Sequence, residues 1–178
     1  MSIEFTNDSP GVSDVPGFRV GAAGCDIRNK GTDRLDLTLV VADRPCAAAG
    51  VFTTNDVKAA PVRFCQQVLA VSADKIRGIV GNSGNANACT GAQGLKDARE
   101  MTALLAKQLH MPEAEVLVGS TGRIGVTMPM ESVWSGISEA VALLDHSPAS
   151  ADHVAEAIMT SDSKQKQVAI EFKLGGKT

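Results

Sequence analysis

Apolar residues in this chain fall into short runs separated by glycine, asparagine and proline, and the period of the runs changes along its length. Leu35 to Ala42 (LDLTLVVA) is almost continuously apolar, which predicts a strand buried on both faces. Phe18 to Ile27 predicts a glycine-interrupted strand before it, and Ile76–Val80 and Val116–Val118 predict two more after it. Cys46 to Thr53, beyond the turn-like Asp43-Arg44-Pro45, predicts the returning arm of a hairpin. Helical spacing appears in four places. The first starts at Pro61 and turns Val62, Cys65, Val68 and Leu69 to one side. The second runs from about Ala92 to His110 on Leu95, Ala98, Met101, Leu105 and Leu109. The third spans about Glu131–Leu144, and the fourth carries Val154, Ala157 and Ile158. Residues 1–16 predict an irregular arm, and Val168–Leu174 a final half-exposed strand. Strands and helices alternate, so the expected class is α/β (α+β), with a mixed sheet because of the hairpin.

Two glycine-rich loops follow strand candidates and precede helix candidates. Glu115–Met130 (EVLVGSTGRIGVTMPM) breaks from Val116-Leu117-Val118 into three glycines beside the hydroxyls of Ser120 and Thr121. A turn of this composition lets its backbone approach a ligand closely, and can hold a phosphate, a carboxylate or the oxyanion of an acyl-transfer intermediate. A strand-to-helix connection that needs glycine for its dihedrals is the plainer reading of the same residues. The second loop, Gly81–Gly91, holds Asn82, Asn85 and Asn87 among glycines. Asparagine amides can replace missing backbone partners, so so many of them suit a buried polar loop or one lining a site.

Composition narrows the partners. The 178 residues are 44% hydrophobic and 21% charged, which suits one globular domain spanning 1–178. A net charge of -3 gives no general attraction to nucleic acid or an anionic membrane, and aromatics at 3% leave little to stack on bases. No apolar run is long enough to span a bilayer, and Met1–Pro10 lacks a secretory core. The Asn7-Asp8-Ser9 sequon therefore carries little weight. Cys25, Cys46, Cys65 and Cys89 are widely spaced and form no CxxC pair, as expected of reduced thiols in a cytoplasmic protein without a zinc site. His110, His146 and His153 read as surface histidines.

Other motifs fail. Gly176-Lys177-Thr178 ends like a phosphate-binding loop, but Glu171 stands where the first glycine is required. There is no G-x-S-x-G elbow, and Ser120 and Thr121 have no obvious histidine partner. Asp162, beside Thr160 and Ser161, reads as a helix-end cap or as part of a polar pocket.

Taken together, GNSGNANACTG, VGSTGRIGVTMPM and AIMTSDS, in this order and spacing, resemble the ornithine acetyltransferase family, the glutamate N-acetyltransferases of the cyclic arginine pathway. The resemblance implies a layered α/β architecture, a DmpA-like autoprocessed fold. It implies a precursor that cuts itself before a threonine into α and β chains, usually assembled as an α2β2 heterotetramer. The new amino-terminal threonine of the β chain accepts acetyl from N-acetylornithine and passes it to glutamate. This chain resembles the α chain. It reaches Thr178 before any Lys-Gly-x-Gly-Met segment or Ala-Thr-Met cleavage site, so the nucleophile is expected on the second chain.

The same resemblance implies that Thr121, through its hydroxyl, and Gly122, through its N–H, form the oxyanion hole, and that Thr160 contacts the amino-acid substrate. No metal and no bound cofactor is expected. Acetyl-CoA is a co-substrate in some members of the family. No nucleic acid and no membrane is expected as a partner. The Gly81–Gly91 loop is expected to buttress the oxyanion turn through its Asn side chains. Two other readings stay open: a related autoprocessed amidase or aminopeptidase, and a non-catalytic anion-binding module.

Overall fold

The computed structural model describes residues 3–5 and 11–172. Its centre is a four-stranded sheet in the order β2 (Phe18–Ala23), β3 (Leu37–Cys46), β4 (Ile76–Asn82) and β5 (Val116–Ser120). β3 pairs antiparallel with β2 and with β4, whereas β4 and β5 run parallel. The mixed sheet is therefore as expected, but its hairpin is elsewhere. β3 runs straight through Asp43-Arg44-Pro45 to Cys46, with β2 on one side and β4 on the other. Both edges of β3 are thus occupied, and Cys46–Thr53 has no strand to join. Proline, which has no N–H to give a ladder, fits because the β3–β4 register shifts between Val41 and Cys46.

Alternation along the strands splits the sheet into two faces. One carries Leu37, Leu39, Val41, Val80, Val116 and Val118, all buried against α1 (Ala60–Ser72), α2 (Gly91–Gln108) and α3 (Met130–Ala142). The helices supply Phe64, Cys65 and Val68, then Ala98, Met101 and Leu105, then Val133, Ile137 and Ala140. Pro61 sits in the first turn of α1, where its missing N–H costs nothing. The other face carries Val20 and Ala22 under α4 (Pro148–Ala157), packed on Ala151, Val154 and Ala157. The Ser147 hydroxyl caps α4 by accepting from the Ser150 N–H at 3.1 Å. Beyond α4's reach, Ile79 and Gly119 on this same face are exposed.

The arm read as irregular contributes β1 (Ile3–Phe5), which pairs antiparallel with β6 (Ile170–Phe172), part of the strand expected over 168–174. The Asn7 sequon and the Gly175–Thr178 ending lie outside the described residues. Among the described residues, no helix is long and apolar enough to cross a membrane. The consequence for function comes from β4–α2–β5. Because β4 and β5 are parallel neighbours, both glycine-rich loops leave the same end of the sheet side by side. Carboxyl ends of parallel strands are where α/β sheets place ligands.

Candidate functional site

The two loops are stitched together almost entirely through backbone. Asn82 and Ser120 are register partners at the ends of β4 and β5. Beyond them the Thr121 N–H donates to Asn82 O at 3.0 Å, and the Arg123 N–H to Gly84 O at 3.2 Å. The Ala86 N–H donates to Arg123 O, and the Gly125 N–H to Ala88 O, each at 2.8 Å. The strand pairing is thus prolonged into the loops, including a parallel bridge between Asn85 and Arg123. Gly122 sits at the closest approach, with φ +133. A Cβ placed there would lie 2.6 Å from Asn85 N and 2.8 Å from Gly84 O, and would meet Gly84 C as well. No other residue fits this backbone and this gap together.

The asparagines supply the side-chain part of the lock. Asn82, Asn85 and Asn87 are buried. Asn85 Nδ2 donates to the carbonyls of Val126 and Thr127, at 3.0 and 3.2 Å, while its Oδ1 accepts from the Asn87 N–H at 2.8 Å. Asn82 Nδ2 donates to Asn85 O at 2.9 Å and Ser83 O at 3.1 Å, holding its own loop in shape. Asn87 instead ties the loop to α2, donating to Gly94 O at 2.9 Å and accepting from the Thr90 hydroxyl at 2.7 Å. Buttressing is therefore divided. Asn85 alone of the three reaches the turn, and the other two fix the loop that Asn85 stands on.

What this leaves free is as informative as what it binds. The turn from Thr121 to Thr127 is exposed. The N–H groups of Thr121 and Arg123 are both used, yet among the described residues neither the Gly122 N–H nor the Thr121 hydroxyl has a hydrogen-bond partner. Two adjacent donors without partners, on an exposed turn whose backbone is fixed on both sides, suit an anion or a developing negative charge.

Thr160 is placed elsewhere. It is half-buried beyond the end of α4, and no hydrogen bond joins it to the turn among the described residues. The link between them is the segment 24–36. Arg34 donates to Met159 O, next to Thr160, while Arg123 Nη2 reaches the carbonyls of Ile27 and Arg28 at 3.3 and 3.2 Å. The segment is closed by Asp36, which is buried and accepts from the N–H groups of Cys25 at 2.8 Å and Ile27 at 2.6 Å. Asp162 does not cap α4, whose last residue is Ala157; it pairs with Lys166, which holds its carboxyl below the usual range.

Arg123 and Asp36, whose hydrogen bonds hold the turn and the 24–36 segment, were not singled out from the sequence. The signals were an arginine set among three glycines and an aspartate inside an apolar run. Burial pushes the Cys25 thiol well up, with the Asp36 charge adding to it, and burial also raises Cys65. Neither thiol is poised as a nucleophile. A cavity of about 730 Å³ between the starts of α1 and α2, lined by Lys58, Arg63, Cys89 and Thr90 among others, includes no residue of the turn. A second, of about 470 Å³, adjoins the turn's exit at Pro129 and Met130, opposite Asp26 and Asn29.

Residues 19–178 match the ArgJ family. The chain is 46% identical over 167 residues to an arginine biosynthesis bifunctional protein ArgJ of Shouchella clausii, covering 94% of this chain and 39% of that protein. It is 50% identical over 161 residues to the protein of the same description from Thermotoga neapolitana, covering 88% of this chain and 39% of the relative. The chain thus spans about two fifths of the length of these curated relatives. Among solved structures, it superposes with a TM-score of 0.90 and 34% identity on an arginine biosynthesis bifunctional protein from Bacillus halodurans, covering 99% of this chain and 88% of that one. It superposes with a TM-score of 0.88 and 39% identity on an ornithine acetyltransferase, complexed with ornithine, from Mycobacterium tuberculosis, covering 95% and 88%.

Proposed function

This chain belongs to the ArgJ family, and on that premise we propose that it is the α chain of a glutamate N-acetyltransferase of arginine biosynthesis, supplying the oxyanion hole for a nucleophile carried by a second chain. The observation that carries the reading is the pair of unpartnered donors, Thr121 hydroxyl and Gly122 N–H, on a turn clamped by its neighbours. The second chain begins with threonine, whose hydroxyl attacks the acetyl carbonyl of N-acetylornithine. The carbonyl π electrons move onto oxygen, and the oxyanion is met by Thr121 and Gly122. Collapse breaks the C–N bond and expels ornithine, its departing amine taking up the proton given up by the threonine hydroxyl, and leaves acetyl-threonine. The glutamate amine then attacks the ester and forms a second oxyanion in the same hole; the ester C–O bond breaks, the amine's proton passes to the threonine oxygen, and N-acetylglutamate leaves with the hydroxyl restored.

Preorganisation is the physical content of this reading. Both donors are without partners on an exposed turn whose flanking N–H groups are already bonded, so little backbone reorganisation would accompany charge development. Thr160 contributes substrate binding from the end of α4, and the two chains assemble as α2β2. The chemistry needs no metal and no bound cofactor, and acetyl-CoA would enter as an alternative acetyl donor at the same hole. The test is to incubate the processed two-chain enzyme with labelled N-acetylornithine, then add glutamate. Intact mass should show one acetyl group on the threonine-led chain, discharged to N-acetylglutamate. Label appearing only as free acetate would replace transfer with hydrolysis, and an unacetylated second chain would refute the covalent step.

A further inference from the structure

We infer that Arg123 is a positioning residue for the Thr121–Gly122 turn: its guanidinium clips three carbonyls on two neighbouring loops and so fixes where the Gly122 N–H points. The inference rests on the oxyanion reading proposed above.

Glycine at φ +133 satisfies the local sterics but does not enforce them, since it visits many conformations at similar cost. A free N–H on such a residue is a precise donor only if the peptide planes around it are held. Arg123 follows Gly122 directly. Its N–H donates to Gly84 O at 3.2 Å and its carbonyl accepts from the Ala86 N–H at 2.8 Å. Its side chain then turns back. Nε faces the same Gly84 O at 3.4 Å, while Nη2 donates to Ile27 O at 3.3 Å and Arg28 O at 3.2 Å. One residue thereby binds the turn to the asparagine loop and to the 24–36 segment.

The charge is consistent with this use. Among the described residues the ion pairs are Arg19–Asp43 and Lys166–Asp162, so the Arg123 guanidinium faces carbonyl dipoles and no carboxylate. The anchor is firm as well. Ile27 and Cys25 hang by their N–H groups from buried Asp36, and the carbonyl of Asp36 accepts from the Ser83 N–H at 2.9 Å, back at the asparagine loop. A planar fork can span several acceptors at fixed angles, whereas a lysine ammonium is a single point.

The test compares Arg123→Ala, Arg123→Lys and Thr121→Ala in the processed two-chain enzyme, measuring kcat and KM for acetyl transfer from N-acetylornithine to glutamate. A misplaced donor lowers kcat for Arg123→Ala by about 10- to 100-fold with little change in KM. Added ethylguanidinium recovers part of that kcat, but none in Thr121→Ala, and Arg123→Lys stays low. A precursor that folds but does not cut itself is read by intact mass, as cleavage with and without ethylguanidinium, on the same criteria. Arg123→Ala or Arg123→Lys turning over at the wild-type kcat overturns the inference, as does a loss that ethylguanidinium leaves untouched. If Thr121→Ala loses kcat while Arg123→Ala keeps it, only the clip falls. If Thr121→Ala keeps full kcat, the oxyanion reading itself falls.

Discussion

Replacing Gly122 by alanine adds one methyl group at the tightest contact between the two loops. Two terms act on the native turn. A φ of +133 is a region that L side chains rarely adopt, and holding alanine there costs about 1–3 kcal/mol. The new Cβ would also stand 2.6 Å from Asn85 N and 2.8 Å from Gly84 O, atoms of a backbone that cannot rotate aside as a side chain would. Forced overpacking of this kind costs a further ~1–3 kcal/mol. Together, at about 2–6 kcal/mol, they match or exceed the about 1–3 kcal/mol that two loop hydrogen bonds contribute, so the turn is expected to move. The Gly122 N–H then leaves its position. On the proposed function this removes one oxyanion donor, and kcat should fall by ~10²–10³, equivalent to about 2.7–4 kcal/mol of transition-state stabilisation. The assay is steady-state acetyl transfer by the two-chain enzyme, alongside its apparent Tm. The control is Gly17→Ala, which has positive φ (+87) but nothing within 4 Å of its Cβ, and so isolates backbone strain away from the site. Gly17→Ala should lose some Tm and keep kcat. Gly122→Ala with kcat within about twofold of wild type would mean that either the contact or the donor is dispensable.

Three further outcomes follow from the same geometry. Asn85→Ala leaves the Val126 and Thr127 carbonyls and the Asn87 N–H without their partner, at ~1–3 kcal/mol for each group that stays buried; apparent Tm and kcat should both fall, and unchanged values of both would contradict the buttress. Asp36→Asn can still accept from one of the Cys25 and Ile27 N–H groups but not both, so it should destabilise the 24–36 segment by about 1–3 kcal/mol, seen as faster amide exchange across residues 24–36. Cys25 and Cys65 have thiols raised by burial, so their protonated forms are favoured in the fold; this stability is fully present below the ordinary thiol pKa and is lost as pH rises through the folded one. Iodoacetamide near pH 8 should therefore label exposed Cys89 well before Cys25 or Cys65, which mass mapping would show.

Much of the fold is legible in the sequence, for reasons specific to each element. Helix α1 was legible because Pro61 marks its first turn and its apolar residues repeat at helical spacing. The strand–loop–helix units around Gly81 and Gly119 were legible because glycine and asparagine interrupt apolar runs abruptly. The hairpin was misplaced because Asp-Arg-Pro has turn chemistry locally. Tertiary pairing overrode it: β2 and β4 occupy both edges of β3, and a register shift accommodates Pro45. Pairing of β1 with β6 depends on residues more than 160 positions apart, which no local pattern encodes. At the site, Thr121 and Gly122 came from family resemblance, and the composition of the turn only made them admissible. Arg123 escaped notice because a surface-looking arginine gives no hint that its partners are carbonyls 39 to 96 residues away.

In the proposed reaction the Thr121 hydroxyl meets negative charge that develops only in the transition state. The most direct measurement is kcat and KM for acetyl transfer from N-acetylornithine to glutamate by wild type, Thr121→Ser and Thr121→Ala in the processed two-chain enzyme. Expected are kcat lowered ~10²–10³ in Thr121→Ala, KM little changed, and most of the rate retained by Thr121→Ser, which keeps the hydroxyl. Wild-type kcat in Thr121→Ala, or a loss confined to KM, would contradict it.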